Sequence, residues 1–155
     1  MEQWSVLLLE AHRGAGPLLA GAAPAVYMGA LTAGRIAAQA LPGLSLSHLS
    51  LVAGAGGGAG IALAGLGGSA LVSMAGFGLA GLALGPLVPA LLSRAAADDP
   101  RGTLVWIVST VSYAGFVVSP PLVGLLTTWV GLPAAVACLG VLGVPLALRS
   151  FRFFR

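Results

Sequence analysis

Between Arg35 and Arg94 no side chain carries a formal charge, and His48 is the sole titratable group in that stretch. A soluble domain covers its surface with charged and polar side chains, about a quarter of its residues being charged. Here 7% are charged, 58% are hydrophobic and the mean hydropathy is +1.03. Such a chain has to find most of its surroundings in lipid.

A helix needs about 20 mainly apolar residues to cross the hydrocarbon core. Dividing the sequence at charges, polar runs and Pro/Gly clusters gives spans at about 17–41, 46–66, 69–93, 103–127 and 130–148. Pro42-Gly43 closes the first, Gly67-Gly68 the second, the polar loop Arg94 to Arg101 the third, and a tight turn at Trp129-Val130-Gly131 parts the last two. The runs are long and continuously apolar, unlike the ten-residue alternating strands of outer-membrane barrels. Helix then remains as the way for a spanning backbone to satisfy its hydrogen bonds. The expected fold is an all-α integral membrane protein of about five transmembrane helices, with residues 1–16 before the bundle and a basic-aromatic tail, 149–155, after it.

Arginine placement orients the bundle. With five crossings, one side carries Arg35, Arg94, Arg101, Arg149, Arg152 and Arg155, and the other only Arg13, near Glu2, Glu10 and His12. The positive-inside rule places the richer side, and so the C-terminus, in the cytoplasm of a multi-pass plasma-membrane protein. The tail Arg149-Ser150-Phe151-Arg152-Phe153-Phe154-Arg155 suits anionic headgroups and the aromatic belt. Arginines scattered singly do not suggest a nucleic-acid partner; the bilayer is the expected one. No basic n-region with a cleavage site opens the chain. The single cysteine, Cys138, excludes an internal disulfide and reads as a small packing residue.

Glycine is frequent, 24 residues, and much of it falls inside the spans. Small residues four apart let helix backbones approach closely, a spacing met by Gly54/Gly58, Gly56/Gly60, Gly81/Gly85 and Gly115/Ser119. Gly81 and Gly115 are therefore expected to tolerate a large side chain less well than Gly67, which reads as a turn. Pro86 and Pro89 after Gly85, and Pro120-Pro121 before Gly124, are expected to bend their helices, because proline removes an intrahelical hydrogen bond.

The order of these motifs resembles the C-terminal half of the major facilitator superfamily of secondary transporters, over nearly the whole chain. Glu2-Gln3-Trp4-Ser5, followed by Leu7 to Glu10, resembles the external end of the seventh helix in sugar-permease-like members. Met28 to Arg35 resembles the end of the eighth. Gly76-Phe77-Gly78 with Gly81, then Gly85-Pro86 and Pro89, resembles the tenth; Ser109 to Phe116, then Ser119-Pro120-Pro121 and Gly124, resembles the eleventh. The resemblance implies helices eight to twelve of that fold and transport by alternating access. Two departures stand out. The Asp and second Arg of the family's loop motif are replaced by Gln39 and Ala40, and the first six helices with nearly all of the seventh are missing. The expected partners are thus a small-molecule solute and an N-terminal half-transporter chain or a homo-oligomer.

Few polar side chains fall at membrane depth, and none is acidic, so no buried carboxylate is available as a proton relay. Arg35 either snorkels to the headgroups or faces a cavity. Ser109, Ser112, Tyr113 and Phe116 share one helical face that either lines a solute pathway or bonds to other helices; Tyr27 and Thr32 present a weaker version. No nucleophile–base pair or metal-ligand cluster is visible, so an enzyme, a metal site and a cofactor are not expected. The two functional readings are part of a secondary transporter for a small solute and a non-transporting helical membrane subunit. The arginine asymmetry predicts that a cysteine placed at Ser150, in a Cys138→Ala background, labels from the cytoplasmic side; labelling from outside intact cells contradicts the orientation.

Overall fold

The computed structural model describes residues 2–41, 43–99 and 101–152. The side chains of Glu2, Gln3 and all residues from Arg149 onward, with Met1, Pro42 and Pro100, lie outside what is described, and with them the basic-aromatic tail. Helix α1 (Glu2–Arg13) leads through Gly14 and Gly16 into α2 (Pro17–Ala40). A rod follows, made of α3 (Leu46–Val52), a π-helical turn (Ala53–Gly57) and α4 (Gly58–Leu66). Next come α5 (Ala70–Leu84) and α6 (Leu87–Asp98), one helix bent at Gly85-Pro86, then α7 (Thr103–Val130), and finally α8 (Leu132–Val141) and α9 (Gly143–Arg152).

Four of these rods, Pro17–Ala40, Leu46–Leu66, Ala70–Asp98 and Thr103–Val130, are long and apolar enough to cross a membrane, and Leu132–Leu148 is a shorter apolar helix. Serines start two of them: Ser45 Oγ accepts from the His48 amide and Ser69 Oγ from the Val72 amide, both at 3.3 Å. Glycines at positive φ make the turns, Gly43 at 92°, Gly102 at 78° and Gly131 at 79°. Arg94 sits on α6, where its Nε donates to Asp98 at 2.8 Å, one turn beyond the expected helix end. Asp99 accepts from the backbone N–H of Leu104 and of Arg101, both at 3.0 Å, and those bonds hold its carboxyl below its ordinary pKa.

The core is thin, as lipid-facing helices require: Leu8, Leu9, Ile61, Phe77 and Val136 are interleaved with Ala20, Ala23, Ala64 and Ala80. Small residues bring the backbones together. A Cβ added at Gly81 would lie 2.5 Å from the Tyr27 carbonyl oxygen, and those at Gly34 and Gly85 would collide with the backbones of Leu82 and Leu31, so α2 and α5 cross backbone to backbone. Gly60 and Gly76 meet in the same way between α4 and α5. On the other face of the rod, Gly54, Gly58 and Gly65 receive Gly143, Gly140 and Pro133 of α8–α9. The π turn lies among these glycines and rephases the rod, so that Gly57 faces Leu84 while Gly54 and Gly58 face α8–α9. The expected span 46–66 is thus one rod interrupted by a π turn rather than a regular helix throughout.

Three expectations need correction. Nothing lies within 4 Å of a Cβ placed at Gly115, which is exposed on α7, so it packs against no described residue. Gly67 is buried, and a Cβ there would lie 2.8 Å from both the Leu63 carbonyl oxygen and Val72. The turn at Gly67 is thus crowded and the helix at Gly115 open. Cys138 is exposed rather than packed inside. Gly81→Leu is accordingly predicted to lower the thermal midpoint in detergent by the equivalent of at least the ~1–3 kcal/mol usual for overpacking, with Gly67→Leu close behind and Gly115→Leu near the natural protein; equal midpoints for all three contradict this packing.

Candidate functional site

Proline in a helix releases the carbonyl four residues earlier, and in lipid such an oxygen costs several kcal/mol if nothing donates to it. Pro89 releases Gly85, and Arg35 Nε donates to the Gly85 oxygen at 3.3 Å from the neighbouring helix α2. Pro120 releases Phe116, and Ser119 Oγ donates to the Phe116 oxygen at 3.3 Å. At each proline pair, one released carbonyl therefore has a substitute donor. Around Pro120-Pro121 α7 stays a continuous helix, whereas α5–α6 is interrupted at Gly85-Pro86.

Beside these two proline sites lies an apolar cavity of about 300 Å³, walled by Trp4, Ile61, Leu84, Leu142 and Leu146, with Ser119 on its α7 side. Among the described lining residues only Trp4 and Ser119 bring polar side-chain atoms. Trp4 closes one flank, its ring 3.9 Å from a Cβ placed at Gly124. Such a lining accepts apolar surface and offers water few partners.

The seven pathway candidates are not brought together. Tyr27 is half-buried against the core. Thr32 donates back to the Met28 oxygen at 3.0 Å on an exposed face, and Arg35 points to Gly85. On α7, Ser112 donates to the Val108 oxygen at 2.7 Å, Ser109 is half-buried, and Tyr113 and Phe116 are 74% and 75% exposed. Tyr113 and Phe116 thus turn away from this chain's core, while Ser119 and the fully buried Val123 turn toward the cavity. Helix α2 packs mainly on α1 and α5, and α7 mainly on α6 and α8, so the two polar sets stand on different walls.

Sequence reasoning missed Trp4, Ser119 and Arg13 as parts of the site and its frame. The signal for Ser119 was present, a hydroxyl one residue before a proline. Arg13 Nη2 donates to the Gly65 oxygen at 2.7 Å, capping the C-terminal end of α4. Among the described residues Arg13 Nε and Ser73 Oγ are buried with no partner. No group of three or more His, Cys, Asp or Glu that could hold a metal occurs among the described residues.

The chain is an all-helical membrane protein, and its relatives agree with that class. It is 30% identical over 128 residues to membrane protein MosC of Rhizobium meliloti, an overlap of 81% of this chain and 31% of that one. It is 29% identical over 153 residues to an uncharacterized MFS-type transporter of Yersinia pestis, covering 97% of this chain and 40% of the relative. The chain thus spans well under half the length of these curated relatives. No family model and no solved structure matches it. Similarity to a major-facilitator-type transporter is the functional information these comparisons carry.

The two α7 serines separate structural from dispensable hydroxyls. Ser119→Ala is predicted to cost about 1 kcal/mol of stability, the net worth of one hydrogen bond, because Pro120 leaves Phe116 no backbone donor; Ser112→Ala should cost little, since no proline follows at position 112 plus four or at the residue that serves Val108. Thermal midpoints of the two variants in one detergent check this, and a larger loss for Ser112→Ala contradicts it.

Proposed function

We propose that this chain is part of a secondary active transporter for a small solute, supplying one helical bundle that works by alternating access with an N-terminal half. The observation that carries the reading is the overlap of 97% of this chain with 40% of an MFS-type transporter. Glycine-faced helices bent at Gly85-Pro86, with substitute donors at the bends, suit a wall that rocks against a partner. The exposed Tyr113 and Phe116 would then face that partner or the solute pathway, and Tyr27, Thr32, Arg35, Ser109 and Ser112 would complete the polar contacts. The arginine-rich end, with the C-terminus, would lie in the cytoplasm. A non-transporting helical subunit is the second reading, favoured by the spread of the polar candidates over separate walls.

One wall cannot alternate by itself. The chain reconstituted alone into liposomes is therefore predicted to give no saturable solute counterflow, and co-reconstitution with a chain carrying the remaining helices of an MFS-type relative is predicted to give it. Saturable flux from this chain alone overturns the division of labour. Stable co-assembly without flux for a broad solute panel supports the subunit reading instead.

A further inference from the structure

The bend in α5–α6 has two prolines, and each releases one carbonyl: Pro86 that of Leu82 and Pro89 that of Gly85. Both oxygens meet consecutive residues of α2. Leu82 lies against the Cα of Gly34, where a Cβ would collide with its carbonyl, and the Gly85 oxygen accepts from Arg35 Nε. Gly85 in turn rests on the backbone of Leu31, one helical turn before Arg35, which brings the guanidinium within reach of the bend.

We infer that Arg35 is a positioning residue that acts as a releasable clasp: its guanidinium stands in for the backbone N–H that Pro89 lacks and ties the start of α6 to α2. The bond is at the long end of the hydrogen-bonding range and only partly buried, and Arg35 itself is exposed, so water or a headgroup can compete for it. When it opens, α6 can swing about Gly85-Pro86 while the glycine contact between α2 and α5 stays closed. Helix α6 needs no unwinding for this, because its first turn is already closed on its own side of the hinge, the Ala90 amide donating to the Pro86 oxygen at 3.1 Å. The inference is independent of whether the chain moves solute.

The decisive comparison uses Pro89→Ala, which returns to Gly85 the donor that proline removed. Arg35→Met keeps the apolar stem and deletes every donor. Amide exchange is read by mass spectrometry on the segment 86–92, for the full chain in lipid nanodiscs. In the natural background Arg35→Met is expected to accelerate exchange about tenfold, the loss of one charge-assisted bond; in the Pro89→Ala background it is expected to change it less than about twofold. Arg35→Lys, which retains a cationic donor, should exchange more slowly than Arg35→Met. If Arg35→Met does not fold, the same cycle is run with Arg35→Lys, whose acceleration must again vanish beside Pro89→Ala. Equal acceleration in both backgrounds would assign Arg35 to headgroup anchoring and overturn the clasp, as would no acceleration in either.

Discussion

Backbone carbonyls of one helix resting on glycines of the next hold this bundle together. In lipid no hydrophobic effect drives helices into contact, so packing and polar backbone contacts must do it. A Cα–H···O contact is worth about 0.5–1 kcal/mol, and a glycine in a helix costs about 1 kcal/mol relative to alanine by its measured propensity in water. The two nearly cancel, so a glycine is stabilising only where a facing backbone fills the space it leaves. Gly34, Gly81 and Gly85 meet that condition between α2 and α5, and Gly60 with Gly76 between α4 and α5. The π turn at Ala53–Gly57 belongs to the same scheme, since it lets one rod show glycines to α5 and to α8–α9.

The bends follow from those contacts. Because Gly85 lies against α2, the oxygen that Pro89 frees is within reach of an arginine on that helix. On α7, which packs less tightly, the released Phe116 oxygen is satisfied by the adjacent Ser119. One proline-released carbonyl is thus satisfied from a neighbouring helix and the other locally, in both cases by a side chain. The cavity beside them inherits its apolar lining from the leucines of α5, α8 and α9.

The helical membrane class was legible from the uncharged run between Arg35 and Arg94, because a soluble surface cannot be built from it. The special geometry at Gly85-Pro86 was legible too. Partner choice was not: Gly81 and Gly115 carry the same local signature, yet one is pressed against Tyr27 and the other is open. Spacing along a helix says that a face is small but not what stands opposite. Arg35 was read as either snorkelling or lining a cavity, and its actual acceptor depends on a proline 54 positions later in the chain. The polar face of Ser109, Ser112, Tyr113 and Phe116 is a true helical face, but its direction relative to the bundle is a tertiary property. Trp4, near the start of the chain, became part of the cavity only through the placement of α1.

The most direct measurement of the account is solid-state NMR on the unsubstituted chain in bilayers, with carbon–carbon correlations read between labelled glycine Cα and carbonyl carbons of other helices. Close backbone crossing requires cross-peaks from Gly34 Cα to the Leu82 carbonyl, from Gly85 Cα to Leu31, and from Gly60 Cα to Gly76, with no interhelical cross-peak from Gly115 Cα to these helices. Absence of the Gly34–Leu82 and Gly85–Leu31 correlations, in a sample whose Gly60–Gly76 peak is present, would contradict the α2–α5 contact and the bend that rests on it.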